Sequence, residues 1–130
     1  MTLDDEYLEC VKNYTIIPEE TVVLLFENLW SKFHFHTGGR IDTAKSNNYI
    51  ELFSIDELKE YFKSKNISLN EQVTLLPSIS DTPTLKTSLS SFFRCFDDCI
   101  AACSDVWILF DNYDLVIEIN HDDQIFVFNS

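Results

Sequence analysis

The stretch Val106–Phe128, VWILFDNYDLVIEINHDDQIFVF, decides the fold. It contains three apolar runs, 106–110, 115–119 and 125–128, separated by Asp-Asn-Tyr-Asp and Asn-His-Asp-Asp. Branched and aromatic side chains suit the pleated surface of a sheet, whereas Asp and Asn suit turns. Because spacers this short join only antiparallel neighbours, the stretch predicts a three-stranded meander.

Helical periodicity is present in the part of the chain that precedes the meander. Apolar residues recur three and four apart in four segments: 3–12, 18–34, 55–65 and 87–103. The second segment has one apolar stripe, made of Val22, Leu25, Phe26, Leu29, Trp30 and Phe33. The third opens with a capping box, Ser54 to Glu57. Two further short strands are predicted over 49–53 and 73–76, and residues 38–48 are predicted to form a polar surface loop.

These elements predict an α+β fold, with about four helices packed on an antiparallel sheet that ends in the meander. A chain of 130 residues fits one domain that can bury a sizeable core. We therefore expect residues 1–130 to form a single domain.

The charge of the chain is strongly one-sided. It has 22 acidic and 9 basic residues, which gives a formal net charge of −13. After Arg94 there is no Lys or Arg, but there are Asp97, Asp98, Asp105, Asp111, Asp114, Glu118, Asp122 and Asp123. Nucleic acids and anionic membranes require basic patches, so we expect direct binding to neither. A basic protein partner suits this charge; the alternative is that the charge serves solubility alone.

The sequence also predicts where the protein is located and whether its cysteines are oxidised. The N-terminus, MTLDDEYLEC, is acidic and is not typical of a signal peptide. No apolar run reaches the roughly 18 residues of a membrane-spanning helix. We therefore expect a cytoplasmic protein with its four cysteines, Cys10, Cys95, Cys99 and Cys103, reduced.

Candidate metal ligands lack the spacing of known sites. Cys95, Cys99 and Cys103 repeat every four residues, which is typical of a buried helical stripe rather than of a zinc site. His34 and His36 lack a third ligand at useful spacing, because His121 is distant in the chain. We expect neither a metal nor a cofactor.

The acids near the predicted strands are the candidate catalytic groups of the chain. Asp105, Asp111 and Glu118 faintly resemble the acids of a metal-dependent nuclease, but such sites usually add a lysine beside the second strand acid. Here Glu118 is followed by Ile119 and Asn120. The chain also lacks a Gly-rich phosphate loop, an HExxH motif and a nucleophile elbow. We expect the protein not to be an enzyme.

The meander instead groups acids at its two ends. In an up-down-up arrangement Asp105 lies near residues 120–123, while Asp111 and Asp114 lie at the opposite end beside the C-terminal carboxylate. The ends are about 17 Å apart at about 3.3 Å per residue. Glu118 lies between them and faces away from Leu115, Ile117 and Ile119. The predicted partner-binding surface, an edge or face of the sheet, consists of Asp105, Asp111, Asp114, Glu118, His121, Asp122 and Asp123.

A small acidic α+β chain that ends in such a meander resembles the immunity proteins of bacterial contact-dependent inhibition and related polymorphic toxin systems. The resemblance implies a cytosolic inhibitor that binds a cognate toxin domain, often a nuclease, and blocks its active site. A nuclease needs a basic cleft, so an acidic inhibitor follows physically. The alternatives are a phage or mobile-element nucleic-acid mimic that blocks a DNA-binding protein, and a small enzyme of unrecognised type.

Overall fold

The structure is a computed structural model, and it describes residues 2–36, 39–46, 48–78, 82–111 and 114–129. Within these ranges the chain forms five α-helices and seven strands. In chain order they are α1 (Leu3–Val11), β1 (Thr15–Ile16), α2 (Glu19–Lys32), β2 (Tyr49–Leu52), α3 (Ile55–Ser64), β3 (Gln72–Pro77), β4 (Leu85–Ser88), α4 (Leu89–Arg94), α5 (Phe96–Ala102), β5 (Val106–Phe110), β6 (Leu115–Ile119) and β7 (Ile125–Asn129). A short 3-10 helix, Thr43–Lys45, lies between α2 and β2.

The seven strands form one antiparallel sheet in the order β1-β4-β3-β5-β6-β7-β2. The predicted meander is confirmed as β5, β6 and β7, with Ile117 opposite both Ile108 and Val127. It lies inside the sheet, because β3 pairs with β5 and β2 pairs with β7. The α+β class is thereby confirmed.

Helices cover both faces of this sheet. On one face α1, α3, α4 and α5 bury a large cluster, which includes Tyr7, Leu58, Phe62, Phe92, Ile108, Ile117 and Val127. On the other face α2 and the segment after it bury a second cluster: Leu29, Ile41, Leu76, Trp107, Val116, Phe126 and Phe128. All five residues of β6 are therefore buried, although alternate side chains point to opposite faces.

The first three predicted helices are confirmed, but the fourth is not one helix. Its first residues belong to β4, in which buried and partly buried side chains alternate. The Ser88 hydroxyl accepts a hydrogen bond from the Ser91 backbone N–H at 3.1 Å, so α4 begins only after this cap. A break at Cys95 then separates α4 from α5. Helical backbone hydrogen bonds continue through the break: the Cys95 N–H donates to the Ser91 carbonyl, and the Cys99 N–H donates to the Cys95 carbonyl. The helical spacing of apolar residues is therefore unbroken.

The four cysteines do not share one state. Cys10 and Cys95 form a disulfide that ties the end of α1 to the α4–α5 break, with their Cα atoms 5.9 Å apart. Cys99 and Cys103 are free and buried. The expectation of four reduced thiols was therefore wrong for Cys10 and Cys95. Disulfides are rare in cytosolic proteins, so this bond is unexpected in a chain predicted to be cytoplasmic.

Two smaller expectations also differ from the structure. Trp30 does not lie in the buried stripe of α2, because 57% of its surface is exposed. Ile41 belongs to the predicted polar surface loop yet is buried, and it bridges Phe35. Gly38 and Asn47 of that loop lie outside the described residues. Among the helices that the structure describes, none is both long enough and apolar enough to cross a bilayer.

Candidate partner-binding site

The turn between β6 and β7 is built by Asn120. Its side-chain Oδ1 accepts hydrogen bonds from the backbone N–H groups of Asp122, at 3.0 Å, and Gln124, at 3.3 Å. Asp123 adopts a positive φ of 60°, a conformation that Asp tolerates better than most residues. The backbone of the turn is therefore fixed by its own hydrogen bonds, and the side chains of Asp122 and Asp123 are exposed on it.

Asp105 anchors this turn from the start of β5, as the predicted meander requires. Its Oδ1 accepts from the His121 backbone N–H at 2.8 Å and lies 3.0 Å from His121 Nδ1. Only 8% of the Asp105 side chain is exposed, compared with 58% for His121. The predicted proximity of Asp105 to the turn is confirmed, but Asp105 faces the turn rather than the solvent.

Arg40 was absent from the predicted site. Its Nη2 lies 3.0 Å from Asp122 Oδ2 and 2.9 Å from His121 Nε2. The acidic turn thus acquires a cation from a segment 81 residues away in the chain. No local sequence pattern reports such a contact, because only the packing of the loop after α2 brings the two together.

Glu118 holds that loop against the sheet. It faces away from Leu115, Ile117 and Ile119, as predicted, but it is only 1% exposed. A single oxygen, Oε2, accepts from the Ile41 backbone N–H at 2.8 Å and from the Trp107 indole N–H at 2.9 Å. The expected row of exposed carboxylates across the sheet is therefore interrupted at its centre, because the layer that contains α2 covers this face.

The burial of Glu118 changes the pKa of its carboxyl group. Desolvation raises the pKa of its carboxyl above the ordinary value, and the nearby charge of Asp105 adds to the effect. The hydrogen bonds from Ile41 and Trp107 and the positive charge of Arg40 oppose it. Glu118 is thus a buried polar group of the fold that ties the loop at Ile41 to the sheet.

The opposite end of the meander presents Asp111 and Asp114. Asp111 pairs with Lys86, and Asp114 Oδ1 lies 4.0 Å from Lys32 Nζ at the end of α2. Both carboxylates are more than half exposed. They line a groove of about 420 Å³ between α2 and the β5–β6 end of the sheet. The predicted contact with the C-terminal carboxylate concerns Ser130, which lies outside the described residues.

Comparison with known protein families places the chain among immunity proteins. The model of the family described as CdiI immunity protein EcoliA0-like matches residues 1–128. The chain belongs to this family. The predicted resemblance to contact-dependent inhibition immunity proteins is therefore confirmed, and it means that the protein binds and neutralises a cognate toxin. No curated protein matches the chain at a significant level.

The immunity protein distributes its seven predicted site residues over three environments. His121, Asp122 and Asp123 are exposed at one end of the meander, and Asp111 and Asp114 at the other, whereas Asp105 and Glu118 are buried. Within the described ranges, no three His, Cys, Asp or Glu side chains are arranged as metal ligands. The exposed carboxylates of the predicted site therefore lie at the two ends of the meander.

Proposed function

We propose that this immunity protein inhibits a toxin with a basic active site, such as a nuclease, by covering that site with its acidic surface. The net charge of −13 carries the proposal. A nuclease must attract a polyanion, so its active-site cleft concentrates positive charge. An acidic protein is attracted to the same cleft and competes with the nucleic acid for it.

The β6–β7 turn supports this role because it is organised before a partner arrives. The bonds of Asn120 fix the backbone, and Asp105 holds His121, so the backbone that carries Asp122 and Asp123 needs little ordering on binding. A binding element that is already ordered loses less entropy on association. Arg40 offsets part of the charge of Asp122, at a separation of 3.0 Å, so Asp123 is the less compensated of the two.

We expect the double variant Asp122→Asn and Asp123→Asn to associate with the toxin on the order of 3–10-fold more slowly at low salt, because charges at an interface rim mainly set the association rate. Asparagine keeps the shape of both side chains and tolerates the positive φ at position 123. Surface-immobilised toxin, purified from its complex with the full chain, would give the rates at low and high salt.

The matched control is Glu6→Gln with Glu9→Gln on α1. Both glutamates are exposed, and α1 packs on the sheet face opposite to α2. Each double variant neutralises two carboxylates, so bulk charge changes equally. Equal slowing by both pairs would show that only total charge matters and would remove the turn from the binding surface. No slowing by either pair would reduce the acidic charge to a contribution to solubility.

A further inference from the structure

Helix α2 carries large apolar side chains on the side that faces the solvent as well as on the side that faces the sheet. Val22, Leu25, Phe26 and Leu29 pack towards the sheet. On the outward side, Val23, Leu24 and Trp30 are 51%, 62% and 57% exposed. A helix on the surface of a globular protein normally carries polar side chains there, and large exposed apolar groups in one patch mark interaction sites.

Trp30 is packed against a neighbouring ring although it is exposed. Its ring stacks on Phe26, with centroids 5.6 Å apart and planes inclined by 29°. Phe26 in turn meets the buried ring of Trp107 edge-on at 5.9 Å. An exposed tryptophan that stacks on a partly buried phenylalanine loses less freedom on binding than an unsupported one, and tryptophan is among the residue types enriched at interface hot spots.

Carboxylates surround these apolar side chains. Residues 19–31 include Glu19, Glu20 and Glu27 but no Lys or Arg. Residues three and four apart are neighbours on a helix, so Glu27 lies between Leu24 and Trp30, and Glu20 lies beside Val23 and Leu24. We call Glu20, Val23, Leu24, Glu27 and Trp30 the α2 patch. Its charge opposes self-association and disfavours nucleic acid, and it complements an apolar spot ringed by Lys and Arg.

The α2 patch is connected to both acidic ends of the meander. Lys32, at the end of α2, lies 4.0 Å from Asp114, and Arg40, in the segment that follows, lies 3.0 Å from Asp122. The helix and this segment cover one sheet face between the two turns. A partner seated on α2 therefore has exposed carboxylates within reach at each end of the meander.

We infer that the α2 patch is the docking surface for the cognate toxin, with Trp30 and Leu24 as its apolar anchors. The inference rests on the proposed function, because the basic character of the toxin supplies the complementary charge. It assigns distinct roles to the two surfaces: the acidic turns speed association, and the α2 patch slows dissociation.

The test compares Trp30→Ala and Leu24→Lys with Phe53→Ala, using the toxin purified from its complex with the full chain. We expect each α2 variant to weaken affinity about 30-fold or more, with the loss for Trp30→Ala in the dissociation rate and nearly independent of salt. Phe53 follows β2, is 78% exposed and is not part of the α2 patch, so its variant should bind within about twofold of the parent. Leu24→Lys keeps the test valid if the loss of Trp30 loosens the Phe26 contact.

The outcomes separate this inference from the proposed function. Unchanged affinity in both α2 variants, with slower association in the Asp122/Asp123 variant, would overturn the inference and leave the proposed function standing. Equal losses in the α2 variants and in Phe53→Ala would also overturn it. Sedimentation of the free protein adds a check, since a dimer that Leu24→Lys dissociates would make the patch a self-association surface.

Discussion

Glu118→Ala is expected to lower the free energy of unfolding by about 3–5 kcal/mol. The substitution leaves the Ile41 N–H and the Trp107 indole N–H without their shared acceptor, and each unsatisfied buried donor costs about 1–3 kcal/mol. It also opens a cavity beneath the loop that carries Arg40. Urea unfolding followed by tryptophan fluorescence would measure the change.

Glu118→Gln is the matched control, because both donors bind the same oxygen, Oε2. A glutamine oxygen at that place keeps both hydrogen bonds, and the amide removes a buried charge whose desolvation is unfavourable. We expect the free energy of unfolding of this variant to lie within about 1–2 kcal/mol of that of the parent. Equal destabilisation by Ala and Gln would show that the charge of Glu118, rather than its acceptor oxygen, holds the loop.

Phe62→Ala is expected to cost about 3–5 kcal/mol, as for other fully buried aromatic residues. Phe62 is inaccessible to solvent and connects α3 to both α4 and the sheet, with ring centroids 5.9 Å from Phe93 and 5.7 Å from Phe110. Its removal leaves a cavity that three elements border. The shift in the urea midpoint, with the slope unchanged, would measure the loss.

Phe53→Ala makes the same chemical change at an exposed site, so its unfolding free energy should stay within about 0.5 kcal/mol of the parent. A loss below about 1 kcal/mol for Phe62→Ala would contradict the placement of α3 on the sheet. Phe96 is a weaker choice for this test, because the break at Cys95 leaves it only partly buried at the start of α5.

The sequence predicts those helices and strands whose pattern lies within one short segment. The meander follows from its alternation of apolar runs with Asp and Asn, and the cap at Ser54 is confirmed by a hydrogen bond from the Glu57 N–H at 3.2 Å. Strand β4 was missed because Lys86 and Ser88 make it polar and short. It is a strand because it pairs with β3 and β1. The helical spacing of the residues that follow led the predicted helix to begin at residue 87, inside this strand.

Features that depend on packing between distant segments could not be predicted. Alternation gave the facing of Glu118 correctly, but not the layer that buries it. The Arg40–Asp122 pair and the Cys10–Cys95 bond join residues far apart in sequence, the latter by 85 positions. Periodicity places Trp30 in the apolar stripe of α2, but this helix also carries large apolar residues on its exposed side, and spacing alone does not show which of them face the sheet.

The proposed function requires that the immunity protein occupy the surface on which its toxin binds nucleic acid. A competition measurement examines this with a catalytically inactive toxin variant, a fluorescent oligonucleotide and increasing amounts of the full chain. We expect one equivalent of the immunity protein to displace the oligonucleotide completely. An oligonucleotide that stays bound while the immunity protein is also bound, or a toxin that binds no oligonucleotide at all, would contradict it.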